Sequence, residues 1–221
     1  MKDKKLDINE IFYSIDGEGI TAGQLAIFIR LNGCNLRCSY CDTAYALETK
    51  ENYIDFNQIF KLISGYPCKN ITITGGEPLY QDGTIDFIKE LTSKGYRVNI
   101  ETNGSISINR LTNIDNTIVT LDIKTYSSDM EKSNLYENLD YLRECDVSKF
   151  VVGDKDDLDF TYKVVNQYKP KGNIFLSPVY GSIEPADIVN YMKSKDNEKV
   201  RLQLQMHKYI WDPDKRGVWW I

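Results

Sequence analysis

The sequence holds no apolar run long enough to cross a bilayer; its best, Leu25 to Leu31, is broken by Arg30. The first residues, Met1 to Asp7, start basic but lead into no apolar stretch, so a signal peptide is not expected. Surplus positive charge is missing too. With 27 Lys and Arg against 32 Asp and Glu the formal charge is −5, which argues against a domain that grips nucleic-acid phosphates. Low-complexity tracts, fixed-period repeats and Pro-, Gly- or Ser-rich linkers are also absent. One cytoplasmic domain spanning residues 1–221 is therefore expected, and 42% hydrophobic with 27% charged residues is an ordinary globular mixture.

Cysteine is scarce and odd in number: five, with three inside eight residues. In a reducing compartment such crowding points to metal ligation or redox chemistry, away from a disulfide framework. Histidine is scarcer, with His207 alone.

What the sequence does contain is an alternation of short β-type runs and helical patterns. Glu10 to Ile15 and Leu25 to Asn32 read as strands joined by a Gly-rich connection. Asp55 to Ser64 reads as a helix capped by Asp55, and Thr84 to Ser93 as a helix capped by Asp82 and ended by Gly95. Strand-like runs recur at Asn70–Thr74, Arg97–Glu101, Thr117–Ile123, Ser148–Val152 and Asn173–Leu176. Helical patterns at Glu131–Glu144, Leu158–Tyr168 and Pro185–Lys195 separate the later ones, and Lys199 to Tyr209 alternates strictly as a long last strand. This order predicts an α/β fold of βα units around a parallel sheet. A closed eight-fold barrel typically needs ~250 residues. An open, partial βα barrel with reduced helix content fits this length better.

Polar punctuation falls immediately after strands: Gly75-Gly76-Glu77-Pro78, Glu101-Thr102-Asn103-Gly104, Asp122-Ile123-Lys124 and Ser177-Pro178. Each alone reads as a turn. Four together, at the carboxyl ends of parallel strands, point to one ligand site. The strongest signal is Cys34-Asn35-Leu36-Arg37-Cys38-Ser39-Tyr40-Cys41, spaced C-x3-C-x2-C. Three thiolates on a short loop can converge on one metal or cluster and leave a coordination position open. A zinc site completed by Cys68 or Cys145, or cysteines without any ligand role, are the alternatives.

The cysteine spacing followed by G-G-E-P at a strand end resembles the radical S-adenosylmethionine superfamily. Further segments are similar to its 7-carboxy-7-deazaguanine synthase branch: Phe12 to Gly19, Phe28 to Leu36, Cys41-Asp42-Thr43, Glu101 to Gly104, Lys149 to Val152 and Gln203 to Lys208. The resemblance implies a partial barrel of radical S-adenosylmethionine type. It implies conversion of 6-carboxy-5,6,7,8-tetrahydropterin to 7-carboxy-7-deazaguanine, a lyase reaction on the queuosine route. Cleavage of S-adenosylmethionine to a deoxyadenosyl radical is implied to start it, with ring contraction, loss of ammonia and regeneration of the cofactor.

By the same resemblance Cys34, Cys38 and Cys41 ligate a [4Fe-4S] cluster and Thr43 ligates Mg2+. Tyr40, Asp42, Gly75, Gly76, Glu77, Pro78, Gly104, Asp122, Lys124 and Ser177 are implied contacts to S-adenosylmethionine. Ile15, Asp16, Gly17, Glu18, Arg30, Thr102 and His207 are implied contacts to substrate. The chemistry of these types agrees. Gly permits close backbone approach, a carboxylate accepts from a pterin edge, and a guanidinium forks a carboxylate. A hydroxyl suits a hard cation, although Thr43 could equally cap a helix. Gln203, Gln205 and His207 share a face with Arg201 on the last strand, which would turn that polar row toward the lumen.

Two departures stand out. Asp16 occupies a position where the family more often has Gln, and Trp219-Trp220-Ile221 extend a usual ending, Arg216-Gly217-Val218. Those extra apolar residues would suit a subunit partner. The family further implies a homodimer and a flavodoxin or ferredoxin electron donor, with no nucleic-acid or membrane partner. Competing readings are a glycyl-radical activase, which shares the cysteine spacing, and a non-catalytic iron–sulfur or zinc protein. The absence of ferredoxin-like cysteine groups argues against the first.

Overall fold

Alternating side chains set up the first hairpin. In the computed structural model, which describes residues 4–195 and 197–211, β1 (Lys5–Ile15) pairs antiparallel with β2 (Leu25–Leu31). Glu10 stands opposite Arg30 and Phe12 opposite Phe28, so one face of the hairpin carries an ion pair beside an aromatic stack. Ile27, Ile29 and Leu31 point the other way, into the main core.

Seven strands continue the sheet: β3 (Tyr53–Asp55), β4 (Asn70–Gly75), β5 (Arg97–Thr102), β6 (Thr117–Ile123), β7 (Val147–Val152), β8 (Asn173–Pro178) and β9 (Val200–Leu202). Their order is β3-β1-β2-β4-β5-β6-β7-β8-β9, with every pair from β2 to β9 parallel. The two ends of this order are not paired to each other. The sheet is thus an open barrel, as the chain length predicted. Helices α1 (Phe56–Ile63), α2 (Thr84–Ser93), α3 (Asn138–Tyr141), α4 (Lys155–Tyr168), α5 (Pro185–Lys195) and α6 (His207–Ile210) complete it. The main core lies between sheet and helices, where Ile71, Ile73, Val98, Ile100, Val119 and Leu121 meet Ile59, Phe87 and Val164. The opposite parity of the same strands carries polar side chains into the lumen.

Local chemistry explains the helix starts. Asp55 and Gln58 form a reciprocal capping box on α1, and Asp154 caps α4 by accepting from the Asp157 N–H. Gly95 takes a positive φ of 81° just past α2, the conformation that glycine favours. The N-cap of α2 is Gly83, in place of the expected Asp82.

Two larger expectations are corrected. The segment Glu131–Glu144 holds a short 3-10 turn at Glu131–Ser133 and the single turn of α3. Buried Asn138 pins it, accepting from Ile108 N–H and donating to the carbonyls of Gly104 and Ile106. Those bonds to a neighbouring loop outweigh a helical apolar pattern. The last strand is short and lies at the sheet edge: β9 stops at Leu202, Arg201 is exposed, and α6 begins at His207. Beyond Leu202 the backbone leaves the ladder to cross toward the β1–β2 connection. There Gln203 bonds both the N–H and the carbonyl of Gly19, and Met206 N–H bonds Gly17 carbonyl. Trp219-Trp220-Ile221 and Arg216-Gly217-Val218 lie outside the described residues.

Candidate active site

The carboxyl ends of the strands surround a cavity of about 810 Å³, the place where parallel α/β sheets bind ligands. Cys34, Cys38 and Cys41 all line it, on the loop that leaves β2. Backbone holds this loop to the barrel: Cys34 N–H bonds Leu47 carbonyl, and Ser39 N–H bonds Ser128 carbonyl. Cys34 Sγ already accepts from Leu36 N–H at 3.4 Å. Burial pushes the Cys34 and Cys38 thiols up. Among the described residues no three His, Cys, Asp or Glu groups come close enough to hold a single metal ion. A cluster asks for less, because each of its irons takes its own thiolate. Cys68 and Cys145 do not line the cavity; Cys68 bonds Leu25 carbonyl and Cys145 is exposed. The donor set therefore fits an iron–sulfur cluster held by three cysteines, and nothing among the described residues supplies the fourth ligand of a structural zinc.

Gly75 and Gly76 form the next part of the wall. A side chain at either is impossible: a Cβ on Gly75 would lie 2.2 Å from Leu31 carbonyl oxygen, and one on Gly76 2.1 Å from that of Gly33. Thr43 reaches the same wall, with Oγ1 at 3.5 Å from Gly75 carbonyl oxygen and 3.8 Å from Cys41 Sγ. It precedes a short 3-10 turn, but its hydroxyl does not cap it. Asp122, Lys124 and Tyr40 gather beside Cys38. Lys124 Nζ bonds Asp122 Oδ2 at 3.0 Å, whereas the Tyr40 hydroxyl and Asp122 Oδ1 are buried without a hydrogen-bond partner among the described residues. Orphaned buried polar atoms facing a cavity are costly unless a ligand satisfies them, so these residues fit a polar cofactor.

Deeper in the lumen the walls carry charge. Glu18 makes a salt bridge with Lys149 and accepts from Gln205 Nε2 at 2.7 Å. Burial alone would raise the Glu18 carboxyl, but the Lys149 ammonium reverses this and holds it well below the usual range. Glu101, on β5, is pushed up to about 7 by burial and by the neighbouring Glu18 and Asp16 carboxylates. Burial also raises Asp16, whose Oδ2 accepts from Thr21 and Thr72. Arg30 donates Nε to Glu10 Oε1 at 2.6 Å, which also accepts from the Tyr45 hydroxyl, and its guanidinium lies over the Phe12 and Tyr45 rings. Burial lowers His207, favouring the neutral imidazole. Its ring is set against Gly17: a Cβ there would be 2.7 Å from Nδ1.

Comparison with known proteins gives this constellation a place. The model of the Radical SAM superfamily matches residues 28–166. The chain is 43% identical to the 7-carboxy-7-deazaguanine synthase of Clostridium acetobutylicum, covering 95% of this chain and 97% of that one. It belongs to the 7-carboxy-7-deazaguanine synthase family. Relatives of the same name from Methanospirillum hungatei and Thermoplasma acidophilum are 40% and 38% identical, covering 93% and 96% of this chain and 85% and 99% of theirs. The crystal structure of QueE from Escherichia coli shares the fold, with a TM-score of 0.75 at 24% identity, over 91% of this chain and 94% of that one.

Within this family member, the residues expected to touch ligands divide into two sets. Ile15, Asp16, Gly17, Glu18, Arg30, Tyr40, Asp42, Thr43, Gly75, Gly76, Thr102, Asp122, Lys124 and His207 line the cavity with the three cysteines. Glu77, Pro78, Gly104 and Ser177 lie off its wall. The Glu77 carboxylate is turned into the protein, where it accepts from Thr102 Oγ1, Asn103 N–H and Leu79 N–H. Gly104 spends its carbonyl on Leu135 N–H and Asn138, and Ser177 is fully buried in β8. Thr102 shares the outward parity of Val98 and Ile100, so its hydroxyl meets Glu77.

Sequence reasoning gave no ligand role to Glu10, Tyr45, Glu101, Lys149 or Gln205, all of which line the cavity. A signal existed for two of them: Glu101 shares the polar parity of Arg97 and Asn99 on β5, and Gln205 falls in one row with Gln203 and His207.

Proposed function

We propose that this chain is a 7-carboxy-7-deazaguanine synthase acting as one catalytic domain, a lyase that contracts the ring of 6-carboxy-5,6,7,8-tetrahydropterin and releases ammonia. The observation that carries the reading is one cavity joining the three-cysteine loop to a charged lumen, in a chain related over nearly its whole length to that family. Cys34, Cys38 and Cys41 would hold the [4Fe-4S] cluster. Tyr40, Asp42, Gly75, Gly76, Asp122 and Lys124 would hold S-adenosylmethionine, and Thr43 would ligate Mg2+. When bound, the cluster and S-adenosylmethionine supply the one-electron chemistry that draws a hydrogen atom from the substrate.

The chain's own residues bind, orient and move protons. Glu10 fixes Arg30 through Nε and leaves the terminal guanidinium N–H groups for the substrate carboxylate. Glu18, kept anionic by Lys149, accepts from the pterin N–H edge. Neutral His207, set against Gly17, adds a further hydrogen bond to the substrate. Loss of ammonia requires a proton on the leaving nitrogen, and Glu101, poised near neutrality, is placed to exchange one. Asp16 has two hydroxyl donors on one oxygen, which leaves Oδ1 facing the lumen. A flavodoxin or ferredoxin would deliver the electron, two chains would pair, and the enzyme would work in the cytoplasm; no helix among the described residues is long and apolar enough to cross a membrane.

The deciding experiment is anaerobic reconstitution followed by a ring-contraction assay with and without Mg2+. Product and ammonia from the carboxytetrahydropterin support the reading. A reduced four-iron protein that cleaves S-adenosylmethionine but never contracts the ring would sink it. Gly17→Ala probes the substrate side. Forcing the His207 ring off its rotamer costs ~0.5–1.5 kcal/mol, a rise in KM of roughly two- to tenfold. Iron content should stay at the wild-type level. An unchanged KM would show that the Gly17–His207 contact does not shape the substrate pocket.

A further inference from the structure

Glu77 and Asn103 stand at neighbouring strand ends, and the function proposed above gives Glu77 no ligand to hold. The Glu77 side chain is fully buried, and burial raises its carboxyl; it accepts from Asn103 N–H at 2.7 Å, Thr102 Oγ1 at 2.7 Å and Leu79 N–H at 2.9 Å. A carboxylate so placed fixes the backbone of Asn103. The side chain of Asn103 is fixed as well. Its Oδ1 accepts from Ser105 N–H at 3.0 Å and from Ser105 Oγ at 2.6 Å. Its Nδ2 is left to donate to Asn35 Oδ1 at 3.2 Å and to Cys34 Sγ at 3.7 Å. The amide cannot flip without pointing an oxygen at both the sulfur and the Asn35 oxygen, so the hydrogen-bond network itself sets its orientation.

We propose that Asn103, held by Glu77, is a positioning residue whose amide N–H bonds the Cys34 ligand and tunes the reduction potential of the cluster. The inference rests on the three-cysteine reading of the site. A donor to a cysteinyl sulfur stabilises the more negative, reduced cluster more than the oxidised one, and hydrogen bonds to sulfur are among the levers that set cluster potential. Removing the donor lowers the potential. Replacing it with a carboxylate lowers it further, because an anion then faces the sulfur.

The test is a redox titration of anaerobically reconstituted wild-type, Asn103→Ala and Asn103→Asp proteins, followed by EPR without S-adenosylmethionine. Both variants are expected to carry wild-type iron. At a fixed ambient potential the reduced-to-oxidised ratio should fall about tenfold in Asn103→Ala, which is about 59 mV for one electron, and further in Asn103→Asp. Glu77→Gln should shift the potential the same way, because its new amide faces the Asn103 N–H and loosens the loop. Asn103→Asp keeps the side-chain shape, so it decides the matter if the alanine variant does not fold. Full iron with an unmoved potential in Asn103→Asp overturns the proposal and leaves the cluster assignment intact. Failure of wild-type protein to bind iron would instead overturn the cluster assignment.

Discussion

Cys38→Ala is expected to abolish deoxyadenosine formation, at least a thousandfold, whereas Cys68→Ala and Cys145→Ala leave it near the wild-type rate. The asymmetry follows from placement. Cys38 lies between Cys34 and Cys41 on a loop whose ends are tied down by the Cys34–Leu47 and Ser39–Ser128 backbone bonds, so no other thiol can take its place. A three-cysteine cluster has no spare protein ligand, and each thiolate holds a separate iron. Cys68 spends its S–H on the Leu25 carbonyl at the amino end of the barrel strands, and Cys145 lies exposed. Iron content and the EPR signal of the reduced protein check the same point independently of turnover. Loss of iron in Cys68→Ala or Cys145→Ala would show that the ligand set is wrong.

Much of the scaffold is legible because short-range chemistry and long-range packing agree. Asp55 with Gln58 starts α1 where the sequence says it should, and the apolar parity of Ile71, Ile73, Val98 and Ile100 faces the helices. The cluster loop is legible for a different reason: three cysteines in eight residues have few other uses in a reduced protein. The errors arise where side chains choose distant partners. Residues 200–207 alternate like a strand, yet Gln203 bonds the backbone of Gly19 across 184 positions, and that bond pulls the chain out of the ladder after Leu202. Asn138 likewise dissolves the expected helix by serving the loop after β5.

The lumen was only half visible for a related reason. A strand-end motif such as Glu101-Thr102-Asn103-Gly104 announces a site but not its division of labour. Parity assigns it. Glu101 turns inward to the lumen, Thr102 turns back to Glu77, and Asn103 reaches the cysteine loop. Lys149 opens a segment similar to the family, but its partner Glu18 is visible only once the fold brings the two together.

Glu101→Gln should stabilise the apo-protein at alkaline pH. In the folded chain this carboxyl moves from 4.5 to about 7, pushed by burial first and by Glu18 and Asp16 next. Below pH 4.5 it is protonated in folded and unfolded chains alike and contributes no difference. Between pH 4.5 and about 7 the folded chain keeps a proton that the unfolded chain has released, so stability falls as pH rises. Above pH 7 the whole penalty is present, about 3 kcal/mol. Glutamine keeps the shape and cannot ionise, so the variant should melt higher than wild type at pH 8 by roughly 6–12 °C. Near pH 4.5 the gap should close. Glu18 works in the opposite sense: its depressed carboxyl adds stability above 4.5 that is lost as pH falls toward 2. The wild-type profile should therefore peak on the acid side of neutrality and the Glu101→Gln profile should extend that peak upward. Thermal melts of both apo-proteins across pH 4.5 to 8 decide it; an equal difference at every pH would mean that Glu101 does not titrate near neutrality in the folded chain. The same substitution separates folding from function, since a protein made more stable but slower to release ammonia would mark Glu101 as the group that exchanges the proton.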